Sequence, residues 1–305
     1  MSLLRVKDLS VDYRRFRAVD QVTFSVASAE TLGMVGESGS GKSTIARAVL
    51  RLVEPSAGEI WFDGQSVLPL VGTDLKKFRK RAQMIFQDPY SSLNPRRTVV
   101  QAILEPRHVH GLETQGWTEK LLQRVGLLAE HAVRFPHQFS GGQRQRIAIA
   151  RALASEPDLI VADEAVSALD VSIQAQVLNL LAELQKDLGL AVLFISHDLA
   201  VIRQVCSRVA VMYLGQMVEL GPAEEVCQRP RHPYTVNLVS SIPGSSRQVP
   251  PVPFSPKNSH GCVFAPRCWK ADGVCWQERP PMKEMEQSHE VACHHAVSLE
   301  EVTSV

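Results

Sequence analysis

From its first residues the chain alternates apolar and polar positions in short runs, LLRVKDLSVDY and then QVTFSV. This period of two predicts an antiparallel sheet over residues 1 to about 30. Leu32 to Val35 is a short apolar strand that ends in a glycine-rich loop, and Thr44 to Leu52 (TIARAVLRL) carries helical spacing up to Pro55. The turn-rich run DPYSSLNPRR, Asp88 to Arg97, gives way to helical periodicity over Thr98 to Leu128, interrupted near Gly111 to Gly116. Gln143 to Ala154 is a predicted helix stopped by Pro157. Leu159 to Ala162 and Val192 to Ile195 are uninterrupted apolar runs of the buried parallel-strand type. Between them Ile173, Val177, Leu180, Leu181, Leu184 and Leu188 form a stripe that reads as core packing. After Pro233 the texture changes. Pro243, Pro250, Pro251, Pro253 and Pro256 cluster with serine and glycine into a stretch that cannot sustain a helix or a sheet. From about residue 258 the chain holds too few large apolar residues for a core of its own. No internal repeat is present.

Composition narrows the class. A chain of 305 residues accommodates one large domain or a domain with an appendage, and the change of texture favours the second. The formal net charge is +1, so no global field points to nucleic acid or an anionic membrane surface. No run approaches the roughly 18 apolar residues needed to cross a bilayer. The N-terminus, MSLLRVKDLS, lacks a sustained apolar export core, and the expected compartment is the cytosol. There the six cysteines read as buried thiols or metal ligands before disulfides.

Two motifs carry chemistry on their own. Gly36 to Ser43 reads GESGSGKS, the phosphate-loop pattern, between a predicted strand and a predicted helix. Gly36, Gly39 and Gly41 let successive backbone N–H groups around Ser38 converge on phosphate oxygens. The Lys42 ammonium should reach the β- and γ-phosphates of ATP, and the Ser43 hydroxyl should reach Mg²⁺, with Thr44 assisting at the helix start. The bland alternative is a glycine-rich turn. In the second motif, the apolar run LIVADE ends in two carboxylates, which suits Asp163 to orient hydrated Mg²⁺ and Glu164 to polarise an attacking water. Alone, such a pair is often a solvated strand end. Its weight comes from the phosphate loop.

The decisive motif is FSGGQRQR, Phe139 to Arg146, which sets Ser140, Gly141, Gly142 and Gln143 at a helix start where N–H groups and the dipole favour an anion. Other phosphate-loop enzymes have no need of it. With this run about twenty residues ahead of LIVADE, the sequence resembles the ABC ATPase family over its first 235 or so residues. The resemblance implies a fold: a RecA-like α/β P-loop cassette with an antiparallel β subdomain and a helical subdomain at about 88–155. It also implies that Gln87 is the Q-loop glutamine and a further Mg²⁺ contact, and that Ser167 to Asp170 (SALD) is the D-loop. His197 is then the switch histidine, otherwise a histidine hydrogen-bonded at a strand end. Tyr13 becomes the aromatic on adenine, although Phe16 is close by. Ala165 departs from the family, which usually carries proline after the glutamate. The resemblance further implies two cassettes facing head to tail, the signature of each completing the ATP site of the other.

Only 52 residues separate Gln87 from Ser140, too few for the long coiled coil of a chromosome-maintenance ATPase. The segments QDPYSSLNPR and RHPYTVNLVSSIP resemble the di- and oligopeptide importers, a branch that includes nickel and glutathione uptake. The tail at 236–305, with its GCVFAPRC run, resembles the C-terminal extension of those ATPases. That kinship implies a second ABC ATPase subunit, two transmembrane permease subunits, an extracytoplasmic solute-binding protein and a place on the cytoplasmic face of the membrane. It implies no nucleic acid partner. The rival is a soluble ABC ATPase acting on nucleic acid or ribosomes. Cys262, Cys268, Cys275 and Cys293 are spaced C-x5-C-x6-C-x17-C, which by itself says metal or core. His260, His289, His294 and His295 keep zinc open, and the resemblance favours a [4Fe-4S] cluster. Cys206 and Cys227 read as structural thiols.

Overall fold

The computed structural model describes residues 2–14, 16–241, 260–286 and 288–297. The proline cluster between Pro243 and Pro256, expected to sustain neither helix nor sheet, lies outside the described residues.

β1 (Ser2–Tyr13) and β2 (Phe16–Ala27) form the expected antiparallel pair, their alternating side chains turned in and out. β3 (Thr31–Val35) leads through the glycine loop into α1 (Lys42–Val49). β4 (Ala57–Phe62) and β5 (Gln65–Ser66) complete a four-stranded sheet in the order β2-β1-β4-β5. α2 (Gly72–Arg81) then feeds β6 (Ala82–Ile85). α2 escapes the sequence pattern because it buries only Phe78.

A helical layer follows: α3 (Pro89–Ser92), α4 (Val99–Val109), α5 (Trp117–Arg124) and α6 (Gly141–Leu153). The break between α4 and α5 falls at the expected glycines, Gly111 and Gly116, both at positive φ. Arg107 of α4 is buried, lies 3.5 Å from the centroid of the Trp117 ring on α5 and donates to the Ala154 carbonyl after α6 at 2.8 Å. One guanidinium thus ties three helices together.

β7 (Leu159–Asp163) and β8 (Ala191–Ser196) are buried at every position, as parallel strands covered on both faces must be. α7 (Val171–Leu188) joins them and stops at Gly189 in the left-handed region. Next come α8 (Leu199–Val205), β9 (Arg208–Tyr213), β10 (Gln216–Pro222), α9 (Ala223–Gln228) and α10 (Pro233–Ser240). α10 runs through the boundary expected near residue 235. Pro233 occupies its first turn, where a missing N–H costs nothing, and the Tyr234 N–H donates to Nδ1 of His232 at 3.0 Å.

The extension adds α11 (Gly273–Gln277), β11 (Lys283–Glu286) and β12 (His289–Val291). β12 pairs with β10, so the second sheet has eight strands in the order β11-β12-β10-β9-β3-β8-β7-β6. Cys262, Phe264, Ala265 and Cys275 join the apolar cluster that also holds Val35 and Phe194. The tail therefore borrows the core of the cassette. Buried Glu219 on β10 fastens it, accepting from the N–H groups of Arg231 (2.8 Å) and His232 (2.9 Å) and lying 2.8 Å from His289 Nε2. Cys206 and Cys227 are buried in the core, and burial raises the Cys206 thiol well above its ordinary range.

Candidate active site

β3, β8, β7 and β6 are neighbours and run parallel, so their C-terminal ends open on one edge of the sheet. Each end carries one of the expected groups: the Gly36 loop after β3, His197 after β8, Asp163 and Glu164 at β7, and Gln87 just beyond β6. Open α/β sheets bind ligands at this edge.

The loop is shaped by what surrounds it. A Cβ on Gly36 would stand 2.1 Å from the Met212 carbonyl oxygen, and one on Gly41 would stand 2.5 Å from that of Ala18. Neither position has room for a side chain. Lys42 is buried, and its Nζ donates to the carbonyls of Gly36 (2.7 Å) and Glu37 (2.9 Å) and to Ser40 Oγ (3.2 Å). Burial lowers its pKa, against the pull of Glu164, Asp163 and Glu37. Ser38 and Gly39 are exposed, and Thr44 is half-buried on α1. The first turn of α1 holds no acidic residue, which leaves its positive end facing the loop.

Ser43 Oγ donates to Asp163 Oδ1 at 2.8 Å. Asp163 is buried, and that burial raises its pKa although the Ser43 bond opposes it. Glu164 follows at φ 48, a left-handed conformation that costs a non-glycine residue about 1–3 kcal/mol. The surroundings hold it there. Its N–H donates to the Ile195 carbonyl at 3.0 Å, and its carbonyl accepts from Ser167 N at 3.1 Å and Ser167 Oγ at 3.0 Å. On its carboxylate, Oε2 accepts from Gln87 Nε2 at 2.9 Å and lies 3.6 Å from His197 Nδ1.

Ser140 to Gln143 open α6 as a capping box: Gln143 N donates to Ser140 Oγ (3.3 Å), and Ser140 N donates to Gln143 Oε1 (3.1 Å). A Cβ on Gly142 would stand 2.4 Å from Ile173, and one on Gly141 would stand 3.4 Å from Leu169. The signature therefore packs on SALD and the start of α7. Tyr13 and Phe16 face each other at the β1-β2 turn, both exposed, with ring centroids 5.6 Å apart.

The ABC transporter family profile matches residues 19–167, and the profile for the oligopeptide/dipeptide transporter C-terminal region matches 218–275. The oligopeptide transport ATP-binding protein AppF of Bacillus subtilis is 51% identical over 295 residues, 91% of this chain and 89% of AppF. The glutathione import ATP-binding protein GsiA of Escherichia coli is 57% identical over 243 residues, 78% of this chain and 39% of GsiA. The chain belongs to the ABC transporter ATP-binding family. Among solved structures, cbiO1 of Clostridium perfringens superposes with TM-score 0.69 at 26% identity, covering 79% of this chain and 96% of that one. A dimeric ATP-binding cassette bound to ADP and phosphate superposes with TM-score 0.65 at 28% identity, covering 72% and 98%. As an ABC ATPase the chain takes ATP with Mg²⁺. No helix among the described residues is long and apolar enough to cross a membrane.

The four tail cysteines also come together. Burial, and then proximity to one another, pushes the Cys268 thiol up to about 11; Cys293 rises to about 12 through burial, with Cys262, Cys268 and Cys275 adding to it. Burial likewise raises Cys262 and Cys275. Cys262 N donates to the Cys275 carbonyl at 2.8 Å, and Lys270 N donates to Cys268 Sγ at 3.4 Å. Among the described residues, the group with ligand atoms mutually within 4.8 Å is Asp272, Cys275 and His295. Among the described residues no three of the tail sulfurs lie mutually within 4.8 Å.

A cavity of about 790 Å³ between β1, β2, β10 and the tail contains none of the ABC motifs. Sequence reasoning missed a different feature at the phosphate loop. Glu37 is bound from behind by Tyr234 and Arg267, which lie 197 and 230 residues further along. No local pattern signals such a contact.

Proposed function

We propose that this chain is the ATP-hydrolysing subunit of a peptide importer, seated on the cytoplasmic face of the membrane beside a second ABC ATPase and two permease subunits, with an extracytoplasmic binding protein delivering the solute. The observation that carries the catalytic part is the Glu164 carboxylate, fixed between Gln87 and His197 one residue from the Asp163–Ser43 hydrogen bond.

In this reading Lys42 exchanges its loop carbonyls for β- and γ-phosphate oxygens of ATP, and the N–H groups from Ser38 to Thr44 surround the phosphates. Ser43, Asp163 and Gln87 would hold Mg²⁺, which would supply positive charge against the phosphates. Glu164 takes the proton of the attacking water as its oxygen bonds to the γ-phosphorus and the bond to the bridging oxygen breaks, releasing ADP and phosphate. His197 and Gln87 orient that carboxylate. Tyr13 stacks on adenine. Ser140, Gly141, Gly142 and Gln143 present the N-terminal end of α6 to the γ-phosphate of a partner cassette; the dimeric relative bound to ADP and phosphate supports this arrangement. Closure of the pair then reaches the permeases through the Gln87 segment.

Peptide as the solute is supported by the match to the oligopeptide/dipeptide C-terminal region and by AppF. Glutathione is the second reading, favoured by the identity to GsiA. With the permeases and binding protein assembled in vesicles, di- and oligopeptides are expected to stimulate ATP hydrolysis. Stimulation by glutathione alone selects the second reading, and stimulation by DNA or ribosomes without membrane partners overturns both.

The burial and mutual proximity of the four tail thiols support a metal group as the reading of this region. Four clustered thiols that burial keeps neutral become good ligands once a cationic centre draws off their protons. We assign Cys262, Cys268, Cys275 and Cys293 to a [4Fe-4S] cluster; zinc on Asp272, Cys275 and His295 is the alternative. Protein purified without oxygen is expected to show broad visible absorption and bound iron. A colourless protein with one zinc selects the alternative.

A further inference from the structure

Glu37, the second residue of the phosphate loop, is held from the side away from Lys42. Its N–H donates to the hydroxyl of Tyr234 at 2.9 Å, and Tyr234 is fully buried. Its carboxylate receives both arms of Arg267, Nη1 to Oε2 and Nη2 to Oε1, each at 3.0 Å. The Arg267 Nη1 group also donates to the Tyr213 hydroxyl at 3.3 Å. Tyr213, Tyr234 and Phe264 form one aromatic cluster, with centroids 4.5, 5.2 and 5.5 Å apart. On its other side the Glu37 carbonyl accepts from Lys42 Nζ at 2.9 Å.

We infer that Arg267, carried by the C-terminal extension, is a positioning residue for ATP binding: it braces the phosphate loop at Glu37 and neutralises a carboxylate that would otherwise face the nucleotide phosphates. This rests on the reading of GESGSGKS as the ATP site. Two physical effects combine. A loop with three glycines loses much conformational freedom when it closes on phosphates, and a fixed anchor at Glu37 removes part of that cost before the ligand arrives. In addition, an unpaired carboxylate within the loop repels a triphosphate, whereas the bidentate guanidinium cancels its charge and points it towards the tail. The pair is half exposed, with side chains 44% and 45% accessible, so its influence must be moderate and salt-sensitive.

The test is Mg²⁺-ATP affinity of the full chain, measured by titration calorimetry at low and high salt. Arg267→Ala is expected to weaken binding about three- to fivefold at low salt, with the gap closing at high salt. Arg267→Lys, which keeps the charge but loses the fork, should fall between. Adding Glu37→Gln to Arg267→Ala should recover part of the loss, because the repelling charge is gone. Arg279→Ala cuts another anchor of the tail, the contact with Asp20 at 2.7 Å, and should change affinity less than twofold. Unchanged affinity in Arg267→Ala would overturn the inference, as would an equal loss in Arg279→Ala or no recovery from Glu37→Gln. Lys42→Ala separates the two readings: if it retains full affinity, the ATP site itself is misassigned.

Discussion

The phosphate edge and the thiol centre sit on the same eight-stranded sheet and are built in opposite ways. At the phosphate edge the groups hang from the ends of adjacent parallel strands, and hydrogen bonds of 2.7 to 2.9 Å already join Lys42 to Gly36, Ser43 to Asp163 and Gln87 to Glu164. The thiol centre is carried by loops, one short helix and the end of a two-strand addition, with sulfurs that burial keeps protonated. The first site is organised before its ligand arrives. The second has the thiols without the closure, and in the metal reading proposed above the bound group would supply the remaining order.

The largest effect that sharpens this contrast is at Lys42. In the proposed mechanism it neutralises the phosphates from within the fold, so Lys42→Ala is expected to weaken Mg²⁺-ATP binding by about 100-fold while the fold survives. Equilibrium titration beside a circular dichroism melt checks both halves. Affinity within a few-fold of the native chain would break the comparison.

Asp163 tests the cost of that preorganisation. Its raised pKa means that the folded state favours the protonated form, so the carboxylate destabilises the fold at neutral pH and stability returns as pH falls through its folded pKa. Asp163→Asn should therefore abolish Mg²⁺-dependent hydrolysis yet raise the unfolding midpoint, as removal of a buried active-site charge commonly does. A lowered midpoint would show that the carboxylate contributes net stability.

A smaller effect lies where the tail meets the cassette. His232 is fully buried, and burial lowers its pKa to about 3. The unfolded chain takes up a proton below about 6.5 and the native chain does not, so stability is lost by about 1.4 kcal/mol per pH unit as pH falls from about 6.5 towards 3. Denaturant unfolding at pH 7 and 5.5 should show this slope in the native chain and a shallower one in His232→Asn. Equal slopes would remove His232 as its source.

The phosphate edge was legible in the sequence because its chemistry is written in contiguous runs, GESGSGKS, LIVADE and SGGQ, each next to an element of clear periodicity. Gln87 and His197 needed the family resemblance, since only the strand order brings them to Glu164. The brace was not legible. Glu37 and Arg267 are 230 residues apart, and Arg267 lies among cysteines that draw the eye to metal. β11 and β12 were hidden for a related reason: KEME and HEV are short and charged, and they become strands only because β10 offers an open edge.

The most direct measurement is single-turnover hydrolysis by Glu164→Gln in the assembled transporter, beside its ATP affinity. The substitution keeps the side chain's shape and its contact with Gln87 while removing the proposed base. Affinity within about twofold of native together with hydrolysis reduced at least about 100-fold is expected. Near-native hydrolysis would contradict the assignment of Glu164 and, with it, the view that the ends of these parallel strands form a preorganised ATPase site.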